Sequence, residues 1–410
     1  MIGLLRKIGY RIFQFAFYNG SKLLPWREPV QYRGPGAIRK LPDILTLRKL
    51  SNVMVVTDRQ LMSIGLPKEM LRLLEDANIR YTLFDDIEPN PSTKTVETLL
   101  KSYIDNGCQG FVAFGGGSVM DAAKAAGARI AKPKKSLEQM GGFLKVLAKI
   151  PPIIAIPTTA GTGSETTIVA VVTDFETHRK YALSDLSLIP HAAILDPELT
   201  IGLPPAITAA TGMDALTHAV ESYLCLFGSK KCKRFSEEAV GIIFENIEKA
   251  CTDGKDLHAR EQMLTAAFLA GAAFTRAGLN YIHPVAHTLS GLYKEAHGRA
   301  NAVIMPHVLE YYGQPVHRKL ARLAVCAGLP VSDMSDADAA HAFIEAIKKL
   351  NSALGIPDGF DYIRDEDIPQ ICTWAIREAN PFYPVPILYD KEQIAEIVSL
   401  IRTSHKEEKV

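Results

Sequence analysis

Gly110–Ala131 reads GFVAFGGGSVMDAAKAAGARIA. The apolar, aromatic-rich run Phe111–Phe114 leads straight into Gly115-Gly116-Gly117-Ser118, and a helical pattern follows from Val119 to Ala131. Strand, glycine turn and helix in that order form the repeating unit of an α/β fold. Outward from it the alternation recurs. Val53–Thr57, Tyr81–Phe84 and Ile153–Ile156 read as further buried strands, with Lys68–Ala77 and Thr95–Asn106 as helices. From Leu50 to about Leu203 the chain is expected to build a parallel sheet covered on both faces. Ile168–Thr173 and Lys180–Leu183 read as a hairpin appended to that sheet.

After Leu203-Pro204-Pro205 the texture changes. Alanine-rich helical periodicity takes over in Ile207–Leu224, Ser236–Ala250, Arg260–Arg276, Ala337–Leu350 and Ile394–Ile401. We expect an N-terminal extension at 1–30, an α/β domain at 31–204 and an all-helical domain at 205–410. With 410 residues, 47% of them hydrophobic, the chain is long enough for two cores. A formal net charge of +1 gives no pull toward nucleic acid. The six cysteines form no CxxC pair and read as buried thiols in a reducing compartment, the cytoplasm. Arg6, Lys7 and Arg11 interrupt the first apolar run, so it does not read as a signal peptide, and no stretch reaches the roughly 20 apolar residues of a membrane span. Met1–Tyr18 still combines eight large apolar side chains with three positive charges and no negative one. A helix of that kind can lie on a membrane surface, but docking on the protein body or on a second subunit is the expectation.

The glycines at 115–117 let a backbone approach a pyrophosphate, and the helix behind them offers unpaired N–H groups and a positive dipole. A plain strand–helix turn tolerates the same glycines. Asp121 falls in the first turn of that helix, where a carboxylate is favoured even without a ligand. PTTAGTGSETT at Pro157–Thr167 closes the fourth strand with a dense set of hydroxyls, among them Thr158, Thr159, Thr162 and Thr167. These can wrap a ribose or a nicotinamide amide, or serve only as caps and turns. Asp58 ends the first strand, where a carboxylate can accept from a ribose hydroxyl and repel a phosphate on it, favouring NAD over NADP, or can cap a helix.

The helical half concentrates a second chemistry. TGMDALTHAVESY at Thr211–Tyr223 and NYIHPVAHTLSGLYKEAHGRAN at Asn280–Asn301 place Asp214, His218, His283, His287 and His297 among apolar or small residues, in a chain with 11 histidines. Asp214 and His218 are four apart, so on a helix they project from one face and can share an ion; His283 and His287 have the same relation. Donors on one divalent ion lie no more than about 4 Å apart. On one unbroken helix His283 and His297 would be roughly 21 Å apart, so the chain must turn between them. Gly291, Lys294-Glu295 and Gly298 offer places for that turn. The expected ligand set is Asp214, His218, His283 and His297, a thiolate-free N/O set that suits iron(II) or zinc. Packing histidines or a closed structural zinc site are the plainer readings.

Together these residues resemble the iron-containing, or group III, alcohol dehydrogenases. VTDRQL, GGGSVMDAAK, PTTAGTGSE, TGMDALTHAVESY, HPVAHTLSG and AHGRANAVIMPH fall in the family's order and approximate spacing, from about Gln31 to at least Glu310. The resemblance implies an N-terminal dinucleotide-binding α/β domain and an all-α C-terminal domain that carries the metal, the dehydroquinate-synthase-like architecture, with the active site in the cleft between domains. It implies Asp214, His218, His283 and His297 as metal ligands, and Asp58, Asn90, Gly116, Gly117, Ser118, Asp121, Thr158, Thr162, Thr167 and Lys180 as cofactor contacts. His287 resembles a second histidine near the reacting atoms, and Phe274 an apolar residue lining the substrate space. Pro284 departs from a common glycine, and Val169 stands where several members have a polar residue.

The resemblance implies reversible NAD-linked oxidation of a primary alcohol to its aldehyde by a cytoplasmic homo-oligomer, with Fe(2+), or Zn(2+), as the metal. Two other readings compete with it: a hydroxyacid–oxoacid transhydrogenase that keeps NAD bound, and a non-catalytic metal- or nucleotide-binding scaffold. A lyase of the dehydroquinate synthase kind would want several cations converging on a phosphate, and only Lys294 and Arg299 lie near His283 in sequence.

Overall fold

The computed structural model describes residues 4–174 and 179–403, and the side chains of residues 179–181 lie outside that description. Among the described residues nine strands form: β1 Val30–Arg33, β2 Asn52–Val56, β3 Arg80–Phe84, β4 Gly110–Gly115, β5 Gly142–Phe143, β6 Ile153–Pro157, β7 Val169–Asp174, β8 Arg179–Ser184 and β9 Ala192–Leu195. Six of them make a sheet of order β1-β9-β6-β4-β2-β3, parallel throughout. Successive side chains of a strand face opposite ways, and both faces here are apolar. Met54, Val56, Phe111, Ala113, Ile153 and Ala155 pack under the helices Thr93–Asp105 and Gly117–Ala131. Val53, Val55, Val112, Phe114, Ile154 and Ile156 pack on the other side under Leu41–Leu47 and Lys68–Asp76. This is why β2, β4 and β6 read as unbroken apolar runs rather than alternating ones.

The hairpin differs from expectation. β7 and β8 pair antiparallel, but they belong with β5 to a separate three-stranded sheet and are not appended to the large one. The physical reason lies on the other edge of β7, where the Asp121 carboxylate accepts from the Val171 N–H at 3.1 Å and the Pro91 carbonyl accepts from the Thr173 N–H. Those partners hold β7 beside the helix Gly117–Ala131 and occupy the edge that faces away from β8.

The chain divides into two units, an α/β unit of Pro25–Gly202 with Lys255–Gly271, and a helical unit of Met1–Leu24, Leu203–Gly254 and Ala272–Val410. The expected edges at residues 30 and 204 thus compare with Leu24 and Gly202, and the Lys255–Gly271 exchange is not legible in the residues. Its cause is a close approach of backbones. A Cβ on Gly163 would stand 2.7 Å from both the Ala267 carbonyl oxygen and the Gly271 Cα, so the loop after β6 seats directly on the first part of the helix Leu257–Ala277.

Within the helical unit, Pro205–Leu224 is buried along nearly its whole length and runs against Lys230–Thr252 and His297–Tyr312. The helix Leu4–Ser21 docks on this same unit. Arg11 donates to the carbonyls of Val385 and Pro386, and Gln14 donates to those of Pro381 and Tyr383. No helix among the described residues is long and apolar enough to cross a membrane.

Candidate functional site

The turn required between His283 and His297 falls at Lys294, whose φ of 58° ends the helix Ile282–Tyr293 in the left-handed region. Ala296 then caps a new helix that begins at His297. Gly291 and Gly298, the other places considered, lie inside helices. Gly298 has a different use: a Cβ there would stand 2.1 Å from the Ala210 carbonyl oxygen and 3.2 Å from the Asp214 Cβ. The missing side chain lets the His297 helix lie directly on the helix that carries Asp214. Pro284 occupies the first turn of its own helix, where N–H groups have no intrahelical partner, so the departure from glycine loses no hydrogen bond.

The result brings side chains from three helices to one point. The donor atoms of Asp214, His283 and His297 lie within 4.8 Å of one another. Asp214 Oδ1 is 3.4 Å from His297 Nε2 and 3.8 Å from His283 Nε2, spacings that suit donors held at about 2.0–2.2 Å from one ion. His218 stands outside that triad. Its ring stacks on His283 at 4.5 Å between centroids and on Phe274 at 4.2 Å. Asp214, His218 and His283 are each less than 5% exposed. Burial first, then the neighbouring imidazoles of His218, His297 and His287, pull the His283 pKa well below the usual histidine value. A neutral imidazole offers a lone pair, so the donor set fits a divalent cation.

Three residues that the sequence reading did not single out complete the cluster. Glu221, fully buried, sits seven residues beyond Asp214; one carboxylate oxygen accepts from the Ile282 N–H at 2.8 Å and the other meets His283 Nδ1 at 2.5 Å. A proton held on Nδ1 leaves Nε2 aimed at Asp214 as a donor of electrons. Burial pushes the Glu221 carboxyl up to about 8. Asn301, one turn beyond His297, places its amide nitrogen 2.8 Å from Asp214 Oδ1, 3.3 Å from His283 Nε2 and 3.2 Å from His297 Nε2. Glu378 accepts from His287 Nδ1 at 2.8 Å, and the Tyr383 hydroxyl donates to the same oxygen at 3.1 Å. Burial opposes ionisation of Glu378, but the charge and hydrogen bond of His287 outweigh it and lower its pKa. The His287 ring stacks on His297 at 4.9 Å.

In the α/β unit, Gly116 caps the helix Gly117–Ala131, and two close approaches explain the flanking glycines. A Cβ on Gly115 would meet Val119 at 2.6 Å, and one on Gly117 would meet Thr162 at 2.9 Å. The Asn90 N–H donates to Ser118 Oγ at 3.2 Å, with Asn90 at φ 58°. Thr158 N–H bonds the Gly115 carbonyl, and Thr159 lies beside Gly116. The turn and the Thr-rich loop therefore form one surface. Asp58 caps the short helix Arg59–Ser63, accepting from the Leu61 N–H at 2.9 Å. Asp121 is turned inward: its two oxygens accept from Ser164 Oγ and from the Val171 N–H. Burial raises its pKa against the opposing pull of Lys124. The Lys180 side chain lies outside the described residues.

Lys124, also unread in the sequence, is fully buried. Its ammonium donates to Ser164 O and Oγ, Thr167 O and Oγ1, and Val169 O, all within 3.1 Å. Burial lowers it to about 8 and raises neighbouring Glu165 to about 7. The loop carrying Thr158–Thr167 is thus tied at its far end to the helix that follows the glycine turn.

The iron-containing alcohol dehydrogenase family description matches residues 29–197, and its C-terminal counterpart matches residues 208–401. The chain belongs to that family, and it is an oxidoreductase. It is 36% identical over 379 residues to the 1,3-propanediol dehydrogenase of Klebsiella pneumoniae, a match that covers 92% of this chain and 95% of that one. It is likewise 36% identical over 342 residues to the NAD-dependent methanol dehydrogenase of Bacillus methanolicus, covering 83% and 90%. Among solved structures, a 1,3-propanediol oxidoreductase matches with a TM-score of 0.89 at 36% identity, over 92% of this chain and 99% of that one.

Proposed function

We propose that this chain interconverts a primary alcohol and its aldehyde with NAD as hydride carrier, using iron(II) held by Asp214, His218, His283 and His297. The observation that carries the reading is the convergence of Asp214, His283 and His297 within 4.8 Å, with Glu221 fixing the orientation of His283. A divalent cation there supplies Lewis-acid polarisation of the substrate oxygen. NAD supplies the hydride chemistry, and the protein's part is alignment. Gly116, Gly117, Ser118 and Asn90 would seat the pyrophosphate, and Thr158, Thr159, Thr162, Thr167 and Lys180 the ribose and nicotinamide, with Asp58 toward the adenosine ribose. His287 takes the alcohol proton on its outward nitrogen while Glu378 holds the other nitrogen's hydrogen. Phe274, stacked on His218, forms an apolar wall for the substrate carbon. The cysteine pattern supports a cytoplasmic setting, and a homo-oligomer belongs to the same reading.

His283→Ala removes one donor and leaves Glu221 without its imidazole. Metal content and alcohol-dependent NADH formation should fall to background, while NAD affinity stays near that of the parent. Full turnover by metal-free His283→Ala would end this account. Steady release of NADH into solution separates it from a transhydrogenase that retains its nucleotide.

A further inference from the structure

The helix Leu4–Ser21 lies outside both family-matched ranges, 29–197 and 208–401, so the family fold does not account for it. It docks by the face that carries Gln14, Tyr18 and Ser21. At 100° per residue, Leu4, Leu5, Ile8, Ile12 and Phe15 fall together in an arc of about 100° on another face. They are 74, 85, 47, 64 and 61% exposed. Exposed apolar side chains scattered singly need no explanation, but five on one stripe mark a contact surface. Beside the stripe, Ile8 and Ile12 form one wall of an open groove of about 460 Å³, with Pro315, Ile387 and Leu388 opposite and Lys7 at the rim. On the same wheel Lys7 lies about 60° beyond one edge of the stripe and Lys22, just past the helix end, lies in line with it, while Arg6 falls nearly opposite; residues 4–24 contain no acid.

We infer that this face seats the protein on an anionic phospholipid bilayer, as a surface contact and not a span. Charge decides between occupants. A second copy meeting the stripe face to face would bring Lys7 and Lys22 up to the lysines of its own helix, with no carboxylate on either helix to answer them. Lipid phosphates do answer them, and a helix with large apolar residues on one side and flanking cations lies in the interface plane with that side among the acyl chains. The apolar groove beside Ile8 and Ile12 extends the same surface.

The test is co-sedimentation of the full chain with vesicles of phosphatidylglycerol and phosphatidylcholine in equal parts. The wild type should pellet with them, and less so as salt rises. Ile8→Asp with Ile12→Asp should weaken partitioning by about tenfold or more, the effect of losing two buried side chains of this size. Lys7→Glu with Lys22→Glu should weaken it on anionic vesicles. Neither pair belongs to the histidine cluster or to the glycine turn, so solution activity should stay at the parental level. Four results would each overturn the inference: wild type left in the supernatant, equal binding to pure phosphatidylcholine, a double aspartate variant that binds like its parent, or a wild-type oligomer in size-exclusion chromatography that the aspartates break apart.

Discussion

Glu221→Gln tests the alignment of the histidine cluster with the least disturbance of shape. In its ionised form Glu221 accepts from the Ile282 N–H through one oxygen and can accept from His283 Nδ1 through the other, so the carboxylate offers acceptors only. Glutamine keeps the volume and one acceptor. If its oxygen stays with Ile282, its NH2 group faces His283 Nδ1; if it turns over, a donor faces the Ile282 N–H. The first arrangement avoids a donor–donor clash only when His283 moves its hydrogen to Nε2, the atom aimed at Asp214. That hydrogen occupies the lone pair a metal needs. Disrupting such a supporting carboxylate costs about 10–100-fold in metal affinity, equal to roughly 1.4–2.7 kcal/mol. The assay is competition for iron(II) or zinc against a chromophoric chelator, on protein whose thermal transition has been shown to be intact. A Glu221→Gln protein that holds metal as tightly as its parent would refute the reasoning, because the tautomer of His283 would then be set by something else.

Two further outcomes follow from the same coordinates. Gly298→Ala forces a methyl group to within 2.1 Å of the Ala210 carbonyl oxygen, backbone against side chain with nothing flexible to yield. Calorimetry should show a loss of about 1–3 kcal/mol or more, with metal content falling alongside as His297 moves from Asp214; unchanged values for both would contradict the close-packing role of this glycine. Glu165 is raised by burial from 4.5 to about 7, so the folded protein holds its proton more tightly than the unfolded chain does. Its contribution to stability is complete below pH 4.5 and is lost as pH rises to about 7. In metal-free protein, Glu165→Gln should flatten the fall in melting temperature across that window, and an identical slope in both proteins would remove Glu165 as its source.

The parallel sheet was legible because β2, β4 and β6 are short, β-branched or aromatic, and buried on both sides. β9, reading AAIL, was not, since alanine and leucine carry no strand signal, and the four-residue edge strand β1 is too short and too polar to show a period. The i, i+4 pairs Asp214/His218 and His283/His287 were visible as helical spacing, and the need for a turn before His297 followed from length alone. Its position was not, because a lysine in the left-handed region gives less warning than the two glycines nearby. Glu221, Asn301, Glu378 and Lys124 were hidden for another reason. Each acts on a residue on a different element, such as His283 lying 62 positions from Glu221, and no local pattern encodes such a meeting.

The Lys124 knot has a consequence for hydrogen positions. An ammonium has three hydrogens, while five acceptors crowd around this one, so the three are shared among them. The Ser164 hydroxyl receives from Lys124 and must point its own hydrogen onward to Asp121, just as Thr167 sends its hydrogen toward a carbonyl. The hydroxyls are ordered in one sense, as in ice, by a cation at the head of the chain. Removing a single hydroxyl from that sequence would therefore reorient its neighbours as well as delete its own bonds.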